Sequence, residues 1–353
     1  MKNVLVTGGA GFIGSNFIRF LLAKEPEIQI VNLDILTYAG RLENLKNIPN
    51  SNHHHFIKGD INNQKMVEEL LETYKIDTIV HFAAESHVDR SISSPMPFIQ
   101  SNIVGTFTLL ESARKVWSGK ENLYRFHHIS TDEVFGALNP GDKPFSELTK
   151  YDPHSPYSAS KASSDHIAMA YYHTYGLPVT ISNCSNNYGP YQFPEKLIPL
   201  IICNGIQGKS LPVYGKGAQV RDWLYVEDHC DAIYKILKFG KVGETYCIGG
   251  INQPSNLDIV KELCQIMDKK APLPSKNSHE SLITFVKDRP AHDFRYDIDT
   301  SKISRELNWH PSTNLDTGLE KTVDWYLMHP EWVDSILNQN DFSSWINTNY
   351  QNR

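Results

Sequence analysis

The sequence predicts an α/β fold: a doubly wound parallel sheet with a smaller, interleaved α/β domain. Three observations carry this. Short apolar strands alternate with helical apolar spacing through the first half. A glycine-rich turn joins the first strand to the first helix. The notable polar residues fall just after strands, at the sheet edge where such folds bind ligands.

Taken in order, residues 3–7 form an apolar strand, followed by Gly8-Gly9-Ala10-Gly11-Phe12-Ile13-Gly14 and a helix over about 15–24. The spacing G-x-x-G-x-x-G permits a tight turn that brings backbone N–H groups and a helix N-terminus to a pyrophosphate. This marks the sheet as Rossmann-type. A second strand over about 28–33 ends at Asp34. A carboxylate there accepts both hydrogen bonds of an adenosine ribose and repels a 2′-phosphate, which favours NAD over NADP. A third strand over 56–58 is closed by Gly59-Asp60-Ile61, with Asp60 suited to the adenine amine and Ile61 to its face. His53-His54-His55 read as loop histidines, since three consecutive side chains cannot share one ion, and no metal is expected.

Residues 64–74 have helical spacing at Met66, Val67, Leu70, Leu71 and Tyr74. The buried strand over 78–82 ends in Ala83-Ala84-Glu85-Ser86. Two alanines let a flat cofactor approach, and Ser86 meets what lies beyond the nicotinamide. Residues 97–115 read as one long helix, whose Ser101-Asn102 pair is either surface polarity or a cofactor contact. A fifth strand over 125–130 leads into Thr131-Asp132-Glu133. Two adjacent acids in unlike surroundings take different protonation states. A helix follows, entered through Ser155-Pro156, with Tyr157 and Lys161 about one turn apart on one face. A cation near a phenol lowers its pKa, and a deprotonated Tyr157 takes a proton from an alcohol. Thr131 or Ser130 bonds the same hydroxyl.

Residues 179–182 add another strand, and Asn186-Asn187 sit in a loop. The two amides suit one contact to a sugar diphosphate and one to the cofactor, or equally a turn. Lys196, Arg221 and Arg289 are candidate diphosphate cations, Arg221 foremost. Asn256 caps or precedes a helix running to about 267, and Arg289, His292 and Tyr296 form a last polar cluster. The stretch 330–353, with Trp332 and Trp345, reads as a C-terminal helix or tail packed on the surface, without chemistry. The expected division is a cofactor domain over 1–185 with returning segments at about 220–250, a substrate domain over 186–330, and a tail over 331–353.

A net charge of −6 argues against a general nucleic-acid binder. No apolar run approaches membrane-spanning length. Met1-Lys2-Asn3 leads straight into a strand, so no signal peptide is expected. Five scattered cysteines without a Cys-x-x-Cys suggest a reduced, cytoplasmic setting.

Gly8-x-x-Gly11-x-x-Gly14 with Tyr157-x-x-x-Lys161 resembles the extended short-chain dehydrogenase/reductase family. Thr131-Asp132-Glu133, the stretches 83–92, 157–165 and 183–192, and Asp288-Arg289-Pro290 are similar to the dTDP-glucose 4,6-dehydratases within it. Phe135 and Ala291 stand where that family usually has Tyr and Gly. The resemblance implies NAD as cofactor, held by Gly8, Gly11, Phe12, Ile13, Gly14, Asp34, Thr37, Asp60, Ile61, Ala83, Ala84, Ser86, Ser101, Tyr157, Lys161 and Asn187. It implies dTDP-glucose as substrate, held by Ser86, Thr131, Asn186, Lys196, Leu197, Pro212, Tyr214, Arg221, Asn256, Arg289, His292 and Tyr296. Tyr157, Lys161, Thr131, Asp132 (acid) and Glu133 (base) would carry the chemistry. A homodimer through a four-helix contact is implied too. Dehydratases for other nucleotide sugars, epimerases, decarboxylases and a silent NAD sensor remain as alternatives.

Overall fold

The computed structural model describes residues 1–119, 123–290 and 292–338. Its strands are β1 (Asn3–Thr7), β2 (Gln29–Asp34), β3 (His54–Lys58), β4 (Thr78–His81), β5 (Arg125–Thr131), β6 (Val179–Cys184), β7 (Asn186–Tyr188), β8 (Leu211–Tyr214), β9 (Trp223–Tyr225), β10 (Thr245–Ile248) and β11 (Ile283–Val286). Seven of them form one sheet in the order β10-β6-β5-β4-β1-β2-β3, all pairs parallel. The order reverses between β1 and β4. Chain leaving these two strands diverges to opposite sides, which opens a crevice beyond their carboxyl ends.

Both faces of the sheet are covered, as a parallel sheet requires. Along β1, Val4 and Val6 point to one side, where they meet Phe17, Ile18 and Leu21 of the helix Phe12–Lys24 and Val226 and Ile233 of the helix Val226–Phe239. Leu5 points to the other, toward Leu70 and Leu71, Leu109 and Leu110, and Ala168. This two-residue alternation buries Val4, Leu5 and Val6 on both faces of β1, each contributing roughly 1.5–3 kcal/mol. A separate apolar cluster joins the helices Leu197–Ile206, Asn256–Lys270 and Leu315–Met328 with β8. The small parallel pairs β7–β9 and β8–β11 complete this second region.

Five expectations are corrected. The first helix starts at Phe12, so Gly14 lies inside its first turn. His54 and His55 belong to β3, where burial pulls His54 down to about 4. Asn186 and Asn187 form β7 because β9 offers them a ladder. Residues 97–115 are not one regular helix: Met96–Phe98 passes into a π-helical stretch, Ile99–Gly105, before Thr106–Val116. The wide turn turns Asn102 inward, where it bonds both the N–H and C=O of Glu85 and the Ser160 hydroxyl. Trp332 is buried, not superficial: it packs on Trp325 and donates to Asn44 Oδ1 at 2.7 Å. Trp345 and Ala291 lie outside the described residues.

Candidate active site

The carboxyl end of β1 is built by the absence of side chains. Gly8 has φ +71°, and a Cβ there would lie 2.5 Å from Ala83 N. A Cβ on Gly14 would lie 2.4 Å from Gly8 O. Asp34, buried at the end of β2, fastens the turn: its Oδ2 accepts Ala10 N–H at 2.9 Å and its Oδ1 accepts Leu36 N–H at 2.8 Å. Burial raises this carboxyl, and those two bonds oppose the shift.

Beyond this turn lies a cavity of about 470 Å³. Gly8, Gly11, Phe12, Ile13, Gly14, Asp34, Thr37, Asp60, Ile61, Ala83, Ala84, Ser86 and Ser101 line it, and so do Thr131, Asp132, Glu133, Tyr157, Lys161, Asn186 and Asn187. A backbone cradle that no Cβ could enter, opening on a carboxylate at the end of β2, fits a dinucleotide. Asn187 lines the cavity while its amide is engaged: Nδ2 donates to Ser185 O at 3.0 Å and Oδ1 meets His229 Nδ1 at 2.9 Å.

The two acids open a short 3-10 turn, Asp132–Phe135, capped by Thr131. Asp132 is 2% exposed; its Oδ1 accepts Thr131 Oγ1–H at 3.2 Å and its Oδ2 has no partner. Burial, with the nearby Glu133 and Asp222 charges, pushes its carboxyl well above the usual range. Burial raises Glu133 as well, but Arg289, Lys196 and Arg221 oppose the shift. Burial is foremost at both sites, and Arg221 acts on both; the added cations Arg289 and Lys196 hold Glu133 closer to its ordinary value than Asp132, which separates their protonation states.

The helix Pro156–Tyr175 owes its start to a reciprocal Ser155–Ser158 capping box with Pro156 in the first turn. Lys161 Nζ donates to Ile129 O at 2.8 Å. Burial foremost, with Glu133, pushes the Tyr157 phenol well above its ordinary value, where the sequence suggested a net fall. A hydrogen bond to Thr131 works the other way.

A second cavity, of about 140 Å³, shares Glu133, Asn186, Asn187 and Lys196 with the first and adds Leu197, Pro212, Tyr214, Arg221, Asn256, Arg289, His292 and Tyr296. The structure thus brings every expected substrate residue to one of two adjoining cavities, Ser86 and Thr131 to the first. Their readiness differs. Arg221, expected foremost on a diphosphate, bonds the carbonyls of Val220, Asp293 and Phe294 and stacks on Tyr296 at 4.3 Å. Arg289 instead has a buried Nε without a partner. Asn256 is not the helix cap, a part taken by Ser255, and its buried Oδ1 is likewise unpartnered. Lys196 Nζ donates to Ser86 O at 2.9 Å, tying this region to the end of β4.

Residues 5–322 match the family model described as GDP-mannose 4,6 dehydratase. The chain is 52% identical to the dTDP-glucose 4,6-dehydratase of Salmonella typhimurium, over 99% of both chains. Among solved structures it resembles the dTDP-glucose 4,6-dehydratase of Bacillus anthracis in complex with NAD, at TM-score 0.85 and 43% identity, covering 95% of this chain and 100% of that one. The Streptomyces venezuelae enzyme with NAD and TYD bound gives TM-score 0.87 and 43% identity, covering 95% and 99%. The chain belongs to the dTDP-glucose 4,6-dehydratase family.

A UDP-glucose 4-epimerase from Thermotoga maritima shares the fold at TM-score 0.83 and 26% identity, so architecture alone does not separate the dTDP-glucose 4,6-dehydratases from epimerases. Sequence reasoning gave no role to several walls of this family's site. His87, Val88 and Asp89 line the second cavity, and Glu195 lines both. His87 to Asp89 lie in the stretch 83–92 that carries the resemblance, which was the available signal. Glu195 gave none: only the fold brings its carboxylate to Arg90 at 3.0 Å and to the Tyr38 hydroxyl at 2.8 Å.

Proposed function

We infer that this chain is an NAD-dependent hydro-lyase converting dTDP-D-glucose to dTDP-4-keto-6-deoxy-D-glucose. The observation that carries the reading is Asp132 and Glu133, two adjacent buried acids raised to different extents, lining the same cavity as Tyr157 and Lys161. Oxidation or epimerisation at C4 needs no such pair; elimination of water needs an acid and a base together.

NAD, when bound, supplies the acceptor for the C4 hydride, the hydride later returned to C6, and a positive charge in the cavity that Tyr157 lines. Tyr157, as the phenolate that the Lys161 ammonium favours, takes the proton of the 4-hydroxyl, with Thr131 bonded to the same oxygen. Once C4 is a ketone, the C5 proton is α to a carbonyl and acidic. Glu133 removes it, and Asp132, held protonated by burial, gives its proton to the departing 6-hydroxyl, which leaves as water. C5 is then reprotonated. Gly8, Gly11 and Gly14 with Asp34, Asp60 and Ile61 would hold the dinucleotide. Arg289, Asn256, Lys196 and Asn186 would hold the nucleotide diphosphate, with Tyr214, His292 and Tyr296 as walls.

We further propose that segments after 186 form the substrate-binding part and that the chain works as a cytoplasmic homodimer. Supporting the dimer, Met96, Ile99, Val104, Phe107 and Tyr175 are exposed on the helical segments 96–116 and 156–175. Supporting a reduced setting, all five cysteines are free and buried. No helix among the described residues is long and apolar enough to cross a membrane.

The test is incubation of purified protein with dTDP-glucose, UDP-glucose and GDP-mannose, scoring 4-keto-6-deoxy product. Product from dTDP-glucose is expected. Turnover confined to another nucleotide sugar overturns the substrate, and inversion at C4 without loss of water overturns the reaction. Sedimentation as a monomer at micromolar concentration would contradict the dimer.

A further inference from the structure

Behind Lys161 lies a buried carboxylate that the reaction above does not use. Tyr157, Lys161 and Asp165 follow one another at four-residue intervals, so they form a row on one helix face. Asp165 is 1% exposed. Its Oδ2 collects the hydroxyls of Ser130 at 2.7 Å and Tyr151 at 2.9 Å and the Asn183 amide at 3.3 Å. Its Oδ1 lies 3.1 Å from His128 Nε2, which lies 3.4 Å from Lys161 Nζ. A buried ion is costly unless it is paired, and a carboxylate receiving several donors stays charged.

We propose that Asp165 is a positioning residue of the dehydratase: its buried negative charge, one helical turn from Lys161, keeps Lys161 an ammonium ion beside the Tyr157 phenol. The proposal rests on reading Tyr157 and Lys161 as the pair that serves the hydride step. The ionisable groups around Lys161 are Asp165 and Tyr157 on its own helix, His128 on β5 with His127 behind it, His81 on β4 and Cys184 on β6. Tyr151 faces Asp165. Burial pushes His81, His127 and His128 down, so they are neutral, and pushes Cys184 up to about 12. Asp165 is therefore the negative charge that Lys161 meets in this group. Burial pulls Lys161 down to about 8, with Asp165 foremost in opposing the fall.

Asp165→Asn removes the charge and keeps the shape. Expected are a kcat about fivefold lower at pH 8, a KM within about twofold, and an alkaline limb of kcat moved about one unit toward acid. Tyr151→Phe removes one hydrogen bond from the same carboxylate and should leave that limb in place. An unshifted limb in Asp165→Asn, or an equal shift in Tyr151→Phe, overturns the proposal. Should Asp165→Asn fail to fold, NMR titration of the wild-type lysine ε-carbons decides, with the Lys161 signal assigned by its loss in Lys161→Met. Lys161 titrating near 8 supports the counter-charge, and a Lys161 already neutral at pH 7 overturns it. If Lys161→Met still forms NADH normally, the reading of the hydride pair fails instead.

Discussion

Asp132 Oδ1 accepts the Thr131 hydroxyl at 3.2 Å, while Asp132 Oδ2 is buried with no partner at all. A carboxylate so placed is poorly solvated and lies near the charge of Glu133, whereas a carboxylic acid there is neutral and has a proton to give. Glu133, one residue on, is opposed by three cations. The division of labour between the two acids follows from these surroundings.

Glu133→Gln should still reduce NAD on adding substrate and then stall, with 4-keto-6-deoxy product reduced about 100-fold or more. Asp132→Asn should behave alike, since it too acts only after oxidation. Rapid-mixing absorbance of NADH together with product assay checks both. Absence of the early NADH signal from either variant would contradict this order of steps.

Tyr157→Phe removes the group that takes the 4-hydroxyl proton. No NADH transient is expected, and overall turnover should drop by about 100-fold or more, with substrate affinity little changed. Single-turnover absorbance and a binding titration measure the two quantities separately.

Gly14→Ala places a methyl against Gly8 O and Gly9 Cα, which are backbone atoms unable to rotate away. NAD affinity should fall by about tenfold or more, roughly 1.4 kcal/mol. Calorimetric titration with NAD reads this directly, and unchanged affinity would argue against the glycine turn as the pyrophosphate cradle.

Arg289→Lys and Asn256→Ala alter two side chains of the second cavity whose buried Nε and Oδ1 have no hydrogen-bond partner. Each should raise KM for the nucleotide sugar about tenfold with little change in kcat, the signature of lost uniform binding. Steady-state kinetics with dTDP-glucose distinguishes this from a defect in chemistry, in which kcat would fall.

Acid should destabilise the fold through its buried histidines. Burial lowers His128 from 6.5 to about 4 and His229 to about 3, so the unfolded chain binds protons more readily. The stability they contribute is complete above about pH 6.5 and is lost as pH falls through those folded values. Denaturant melts from pH 7 to 4 should show a steadily falling midpoint, and His229→Gln should flatten part of the slope.

The strand-to-glycine-to-helix transition, the acid at the end of β2 and the Thr131-Asp132-Glu133 run are local signals, because each depends on a few consecutive residues and on the period of a helix or strand. They were readable in the chain as written, and so were the parallel sheet and the reaction type. The rest depended on distant neighbours. Asn102 was ambiguous until Glu85 and Ser160 met it, and Arg221 resembled a free cation until the carbonyls of Val220 and of the distant Asp293 and Phe294 enclosed it. The phenol of Tyr157 was expected to feel Lys161, but burial and the charge of Glu133 dominate it. Sequence by itself determined which chemical groups are present and which strand ends carry them. The tertiary structure alone decided which of those groups are desolvated, which are already bonded and which remain unpaired, because burial and electrostatic environment are properties of everything packed around a residue and not of the residue itself.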